Sequence, residues 1–310
     1  MYFLKSTRNS PYFNIATEEY LLRNFSEDFF FIYSDEPSII CGKHQNILAE
    51  IDFPFVRKNN ISVVRRLSGG GTVYHDLGNV NFCFILNVAE GKQIDFKRHT
   101  APLITALTKM GANPSLGVRN DILINNLKVS GNAEHIWKNR VLHHGTLLFD
   151  SDLQQLEQSI NSDSTRFTDK AIKSKRSKVT NILPFLSPKI TQQEFIQQIF
   201  EVVSETYSLD LFELTESDNL AIDQLVQTKY QTWDWNFGYS PKYQFYNEKG
   251  EFKLDITVEK GVITEAKFWK NDLLDEDTST KLIGTEHRLE SIFDKNIIPI
   301  TIEKIEELFF

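Results

Sequence analysis

Cysteine is almost absent: the 310 residues hold two, Cys41 and Cys83. Two thiols cannot build a disulfide framework, and they fit a reducing compartment. Long apolar runs are missing as well. No stretch reaches the roughly 18 residues that cross a bilayer. The start, Met1-Tyr2-Phe3-Leu4-Lys5-Ser6, lacks the basic segment and apolar run of a secretory signal. A cytoplasmic protein is expected. Positive charge is in short supply, with 34 Lys and Arg against 42 Asp and Glu and a net charge of −8. That excludes a general nucleic-acid binder, whose phosphate contacts need a basic surface. Several motifs are missing too. There is no GxxxxGK[ST] and no GxGxxG in a βαβ setting, so neither a P-loop nor a Rossmann site is expected. No CxxC or HExxH suggests zinc, and no serine–histidine–aspartate order is readable.

Glycine is also scarce, 14 in all, yet three fall together in Arg65-Arg66-Leu67-Ser68-Gly69-Gly70-Gly71-Thr72-Val73-Tyr74-His75-Asp76. Three consecutive glycines weaken any helix or strand. They suit a turn whose backbone approaches a ligand and whose N–H groups face an anion. Arginine adds a planar fork for phosphate or carboxylate. On composition alone this stretch is either an anion site or a plain glycine-rich hairpin.

Around it, residues 11–24 read as an amphipathic helix, with Glu18 and Glu19 as solvated charges. Strands are expected at Phe29–Tyr33, Pro37–Gly42, Ile61–Arg66 and Val80–Asn87. In the last, Val80, Phe82, Phe84 and Leu86 share one face and Cys83 takes the other. Residues 95–112 form a helix that Pro102 is expected to kink. Asn125-Asn126 turns a short strand into Leu127-Lys128-Val129-Ser130-Gly131. Lys128 alone reads as a surface lysine, but its place before Ser-Gly singles it out. His143 and His144 leave their strand on opposite faces, one toward the core and one toward a site. Residues 161–181 form a basic island with six Lys and Arg, read either as a surface loop or as a basic segment over a phosphate-bearing ligand. Helices follow from Thr191, a capping-box start with Glu194, and from Ser217. After the aromatic junction Trp233–Pro241 come three strands and two helices, at about 278–292 and 301–309.

These residues carry a resemblance. RRLSGGGTVYHDLGNVNFCF, KVSGNAEH and HHGTLLFD, with SKRSKVTNI and WDWNFGYSP further on, resemble the lipoate–protein ligase A family over most of the chain. The resemblance implies an α+β, biotin/lipoate ligase-like fold with a mixed central sheet. It also implies a catalytic domain over 1–241 and a small α/β accessory domain over 242–310. It implies ATP-dependent activation of lipoate to lipoyl-AMP, then transfer to a lysine of an acceptor protein. The acceptors would be lipoyl domains of 2-oxoacid dehydrogenase acyltransferases, the glycine-cleavage H protein, or both. Arg66, Gly71, Thr72, Val73 and Tyr74 would contact the nucleotide. Lys128 would touch both ATP and lipoate, and Asp121 would hold magnesium or phosphates. The Phe-rich strands would line the lipoyl tunnel, and His75 and Asp76 would fix the loop. Thr72 stands where alanine is frequent, and Lys43 where arginine often follows the glycine. An ATP-independent octanoyl or lipoyl transferase, working through a cysteine, is the alternative within the superfamily. A non-catalytic binder of lipoylated proteins is a third reading.

Overall fold

A computed structural model describes residues 1–89, 95–160, 163–171, 173–174 and 177–310. Its centre is a six-stranded mixed sheet in the order Asn132–Trp137, Arg140–Leu148, Asn79–Asn87, Phe29–Tyr33, Tyr2–Lys5, Asp210–Leu211. The first four strands pair antiparallel and the last three parallel, so the expected mixed sheet is the one found.

Alternation along each strand builds two cores. Phe30, Ile32, Val80, Phe82, Phe84 and Leu86 face the helices Phe96–Lys109 and Gln192–Tyr207. Phe29, Phe31, Tyr33, Cys83, Ile85 and Leu142 face the helices Pro11–Asn24 and Glu216–Leu225. Each buried Phe contributes about 2–3 kcal/mol to folding. The sheet is covered on both sides, so Phe29–Tyr33 is buried at every position. The phenylalanines expected along a tunnel are consumed here instead.

Helix ends follow their sequence signals. Ser10 and Asp95 cap helices by accepting from Phe13 N and Arg98 N. Thr191 and Glu194 form the expected capping box. The helix Phe96–Lys109 runs through Pro102. The helix expected over 278–292 is two, Glu276–Leu282 and Leu289–Asp294. Between them Gly284 takes φ +80°, and Glu286 bridges to Val262. The strand expected to start at Leu127 ends at Ser130, and a second, Asn132–Trp137, follows Gly131.

Two small sheets carry segments that line a cavity. One is Ser62–Arg65, Ser38–Cys41, Val73–His75, whose two outer strands flank the glycine loop. The other is Pro114–Leu116, Ile122–Ile124, Leu127–Ser130. Residues Tyr243–Lys249, Phe252–Glu259, Val262–Lys270 and Leu273–Leu274 make an antiparallel sheet, extended at one edge by Phe167–Asp169. One apolar cluster joins Ile39, Val63 and Tyr74 to Phe245, Ile256 and Phe309. Among the described residues no helix is long and apolar enough to cross a membrane.

Candidate active site

The glycine loop is held from below by its own arginines. Arg66 Nε donates to Ser68 Oγ at 2.9 Å, and the terminal nitrogens donate to Ile40 O at 2.8 Å and to Gly69 O and Gly71 O at 2.7 Å. Burial pulls its guanidinium down to about 10, which leaves it charged at neutral pH. Arg65 is buried behind the loop and serves carbonyls of two distant segments. Gly70 adopts φ +90°, in the left-handed region that suits glycine. A Cβ on Gly42 would sit 2.1 Å from the Gly70 carbonyl oxygen, so that neighbour must be glycine too.

Thr72 Oγ1 donates to Gln45 Oε1 at 2.9 Å, and Thr72 N donates to Ser174 Oγ at 2.9 Å. Gln45 and Ser174 were not singled out from the sequence. Ser174 belongs to the basic island, so part of that island does lie over the loop. Lys175 and Arg176, like Asn161, Ser162 and Ile172, lie outside the described residues.

Lys128 arrives from the opposite side. Asn125 and Asn126 both take positive φ, 51° and 62°, which makes a tight hairpin turn and sets Lys128 opposite Leu123. The segment 178–180 pairs with its backbone: Lys128 N donates to Lys178 O at 2.9 Å, and Thr180 N to Lys128 O at 3.0 Å. Among the described residues its ammonium has no carboxylate within ion-pair distance and no hydrogen-bond acceptor. Burial pulls the ammonium below its ordinary value, and Asp121 opposes that shift. Asp121 is itself buried, with Oδ2 3.8 Å from an Arg119 nitrogen.

These groups share one cavity of about 270 Å³. Its polar wall includes Arg66, Gly70, Gly71, Thr72, Asp121, Lys128, Asn132 and His144; Ile15, Tyr33, Ile40 and Val73 supply an apolar end. Tyr74 is absent from the wall: its side chain is buried in the cluster behind, with the hydroxyl donating to Gln155. Any ligand contact by Tyr74 would have to come from its backbone. His75 and Asp76 fix the loop: His75 Nδ1 lies 2.8 Å from Asp35 Oδ2, and Asp76 accepts from Gly78 N and Asp152 N.

The helix charges read as solvated are buried, Glu18 at 2% and Glu19 at 5% exposure. Glu18 accepts from the Tyr33 hydroxyl at 2.9 Å and lies 2.7 Å from His144 Nδ1. His144 Nε2 in turn is 2.6 Å from Ser68 Oγ. Glu19 accepts from Arg23, Lys229 and the Tyr230 hydroxyl. The Ser68–His144–Glu18 line was not legible because its members lie 50 and 76 residues apart in the chain. Ser68 is fully buried and its Oγ is shared between Arg66 and His144. The line therefore fixes the loop rather than offering a nucleophile. His143 and His144 do leave on opposite faces, and His144 is the one at the cavity.

Residues 10–204 match the model of the lipoyl protein ligase A/B catalytic domain. Lipoate-protein ligase LplJ of Bacillus subtilis is 40% identical over 270 residues, 84% of this chain and 82% of that protein. The chain belongs to the lipoyl protein ligase A/B family. Solved structures of the family agree with the fold. A bi-partite lipoate protein ligase from Thermoplasma acidophilum, studied with its E2 lipoyl domain, is 26% identical with a TM-score of 0.66, over 77% of this chain and 96% of that one. A lipoate-protein ligase A bound with ATP is 26% identical with a TM-score of 0.65, over 77% and 98%.

Neither cysteine meets the needs of a transferase in this family. Both are fully buried and outside the cavity wall. Burial pushes both thiols above the ordinary range, and Glu18 adds to this at Cys83. The thiolate is the nucleophile, so such thiols are inert. The variants Cys41→Ala and Cys83→Ala are expected to keep acyl-transfer rates within about twofold of the parent. A loss of more than tenfold in acceptor acylation by folded variant would revive the cysteine mechanism.

Proposed function

We propose that the chain is an ATP-dependent lipoate–protein ligase. The supporting observation is the Lys128 ammonium, half-buried without a counter-ion among the described residues and set across one cavity from a glycine loop. Such a group answers to an anion. Related proteins carry the name lipoate-protein ligase, and one structure holds ATP.

In the first step a carboxylate oxygen of lipoate attacks the α-phosphorus of ATP, and pyrophosphate leaves. Two anions must approach, so the work of the protein is positioning and charge neutralisation. Lys128 would lie between carboxylate and α-phosphate. The N–H groups around Gly71 and Thr72 would face phosphate oxygens, and Val73 would border the nucleotide. Arg66 would act mainly by keeping the loop in shape. The apolar end at Ile15, Tyr33, Ile40 and Val73 would take the lipoyl chain. In the second step an acceptor lysine amine attacks the acyl carbonyl, the amine loses a proton, and AMP departs. No covalent enzyme intermediate is needed.

Asp121 is the one carboxylate among the described wall residues. A single carboxylate suits Mg2+, which keeps waters and binds largely through nucleotide phosphates. Asp121 would hold it, and the ion would neutralise the departing pyrophosphate. The reading assigns catalysis to residues 1–241 and an accessory role to 242–310. It places the reaction in the cytoplasm, where the two free thiols stay reduced. The acceptors would be lipoyl domains of 2-oxoacid dehydrogenase acyltransferases or the glycine-cleavage H protein. In support, the archaeal relative was studied with an E2 lipoyl domain.

Lipoate-dependent exchange of pyrophosphate into ATP tests the first step. With ATP and Mg2+, exchange is expected only when lipoate is present. The acceptor domain is then expected to gain one lipoyl mass per lysine modified. Absence of exchange from folded protein at saturating lipoate rejects the proposal.

A further inference from the structure

Behind the cavity, on the other face of the same hairpin, three metal-ligating side chains converge. Glu134 on Asn132–Trp137 stands directly opposite His143 on Arg140–Leu148 in the antiparallel register. His99 reaches them from the first turn of the helix Phe96–Lys109. Glu134 Oε1 is 3.0 Å from His99 Nδ1 and 2.9 Å from His143 Nδ1. One donor atom from each residue lies within 4.8 Å of the other two. The side chains are 1%, 4% and 0% exposed for His99, Glu134 and His143.

Hydrogen bonds do not saturate the cluster. Glu134 Oε2 and His143 Nε2 are both buried with no partner. Among the described residues Glu134 pairs with no lysine or arginine, only with the two imidazoles. A carboxylate buried without a cation or full hydrogen bonding is costly. A divalent ion between two imidazoles and a carboxylate removes that cost. Tetrahedral bonds of about 2.1 Å separate neighbouring donors by about 3.4 Å. The two spacings from Glu134 Oε1, 3.0 and 2.9 Å, reach this with shifts of about half an ångström.

We propose that His99, Glu134 and His143 form a structural Zn2+ site that fastens the helix Phe96–Lys109 to the hairpin behind the cavity. Two nitrogens and one carboxylate oxygen suit zinc better than the all-oxygen ions. Water completes the shell. The Phe96 and Phe82 rings, 5.5 and 5.9 Å from His143, keep the surroundings apolar. In the metal-free cluster both rings donate Nδ1–H to Glu134 Oε1, so zinc at Nδ1 replaces those two hydrogen bonds and leaves each ring's proton on Nε2, where His143 has no competing partner. The site has a mechanical meaning. Glu134 follows Ala133 and His143 precedes His144, and both of those neighbours line the cavity.

The test uses the full chain with any affinity tag removed, stripped by chelator and titrated with Zn2+ against a chromophoric competitor. One equivalent is expected with a Kd below about 10 µM. His99→Ala and Glu134→Gln are each expected to weaken it at least tenfold, while His44→Ala and His135→Ala leave it unchanged. Less than 0.1 equivalent bound, or binding that His99→Ala does not alter, overturns the proposal. Should the ligand variants fail to fold, Co2+ loading of the parent decides. The intense visible bands of a tetrahedral site support the assignment, and a weak octahedral spectrum rejects it.

Discussion

Lys128→Met is expected to reduce lipoate-dependent pyrophosphate exchange by at least about 100-fold, the scale seen when one charge-stabilising donor is removed. The melting temperature is expected to stay level or rise. The two halves of that outcome have one cause. A half-buried ammonium with no counter-ion among the described residues contributes little to folding, so an apolar chain of similar length costs the fold little. It becomes useful only when an anion enters the cavity. Lys128→Arg is not a conservative rescue: Lys128 Nζ already lies 3.0 Å from where a Cβ on Gly131 would stand, and a planar fork needs more room. The pH dependence carries the same signature. The folded pKa is lowered, so between that value and the ordinary 10.5 the unfolded chain binds more protons. Stability linked to this group therefore rises with pH across that window and is absent below it. In Lys128→Met this rise should vanish from the melting profile. Full exchange activity in the folded variant removes the central assignment.

Local demands made much of the site legible. Gly69-Gly70-Gly71 breaks both helix and strand, and only a turn under close approach tolerates it. Asn125-Asn126 announces the hairpin that presents Lys128. Thr191 and Glu194 give the start of the long helix because cap and box lie within one turn. What escaped depends on distant partners. Glu18 and Glu19 look solvated on a helical wheel, yet the helix Pro11–Asn24 is covered on several sides. Arg23 is a local partner of Glu19, but His144, Lys229 and Tyr230 lie more than 100 residues away. The phenylalanines could be placed on strands but not assigned to core or tunnel, since alternation does not say what covers each face. Tyr74 illustrates the same limit. In the motif it stands beside Val73 of the cavity wall, but on a strand its side chain points the other way from Val73. Nothing local marks that the far face is filled by residues after 241.

The arginine preceding Arg66 is where the largest stability effect is expected. Arg65 is 0% exposed. Its guanidinium donates to Gly42 O, Lys43 O and Gln45 O on one side, and to Trp235 O, Asn236 O and Ser240 Oγ on the other, all between 2.8 and 3.2 Å. Its backbone is also engaged, accepting from Trp235 Nε1 and donating to Asn236 Oδ1. One side chain thus ties the turn beneath the glycine loop to the aromatic junction. Arg65→Met fills the space but removes all six of these hydrogen bonds, four of them buried; Gly42 O keeps other donors, in Gln45 N and Cys41 Sγ. Breaking a buried charged network of this kind costs about 3–5 kcal/mol. A fall of several degrees in melting temperature is therefore expected. Activity should fall with it even well below the melting point, because Gly42 abuts Gly70 and the turn can no longer hold the loop in register. The loss should appear mainly in KM for ATP, since the ammonium of Lys128 is untouched. Arg65→Lys should recover little, because one ammonium has three donors and cannot span both segments. A variant that melts like the parent and binds ATP normally would show that the junction is held by its apolar packing, and that the guanidinium is replaceable.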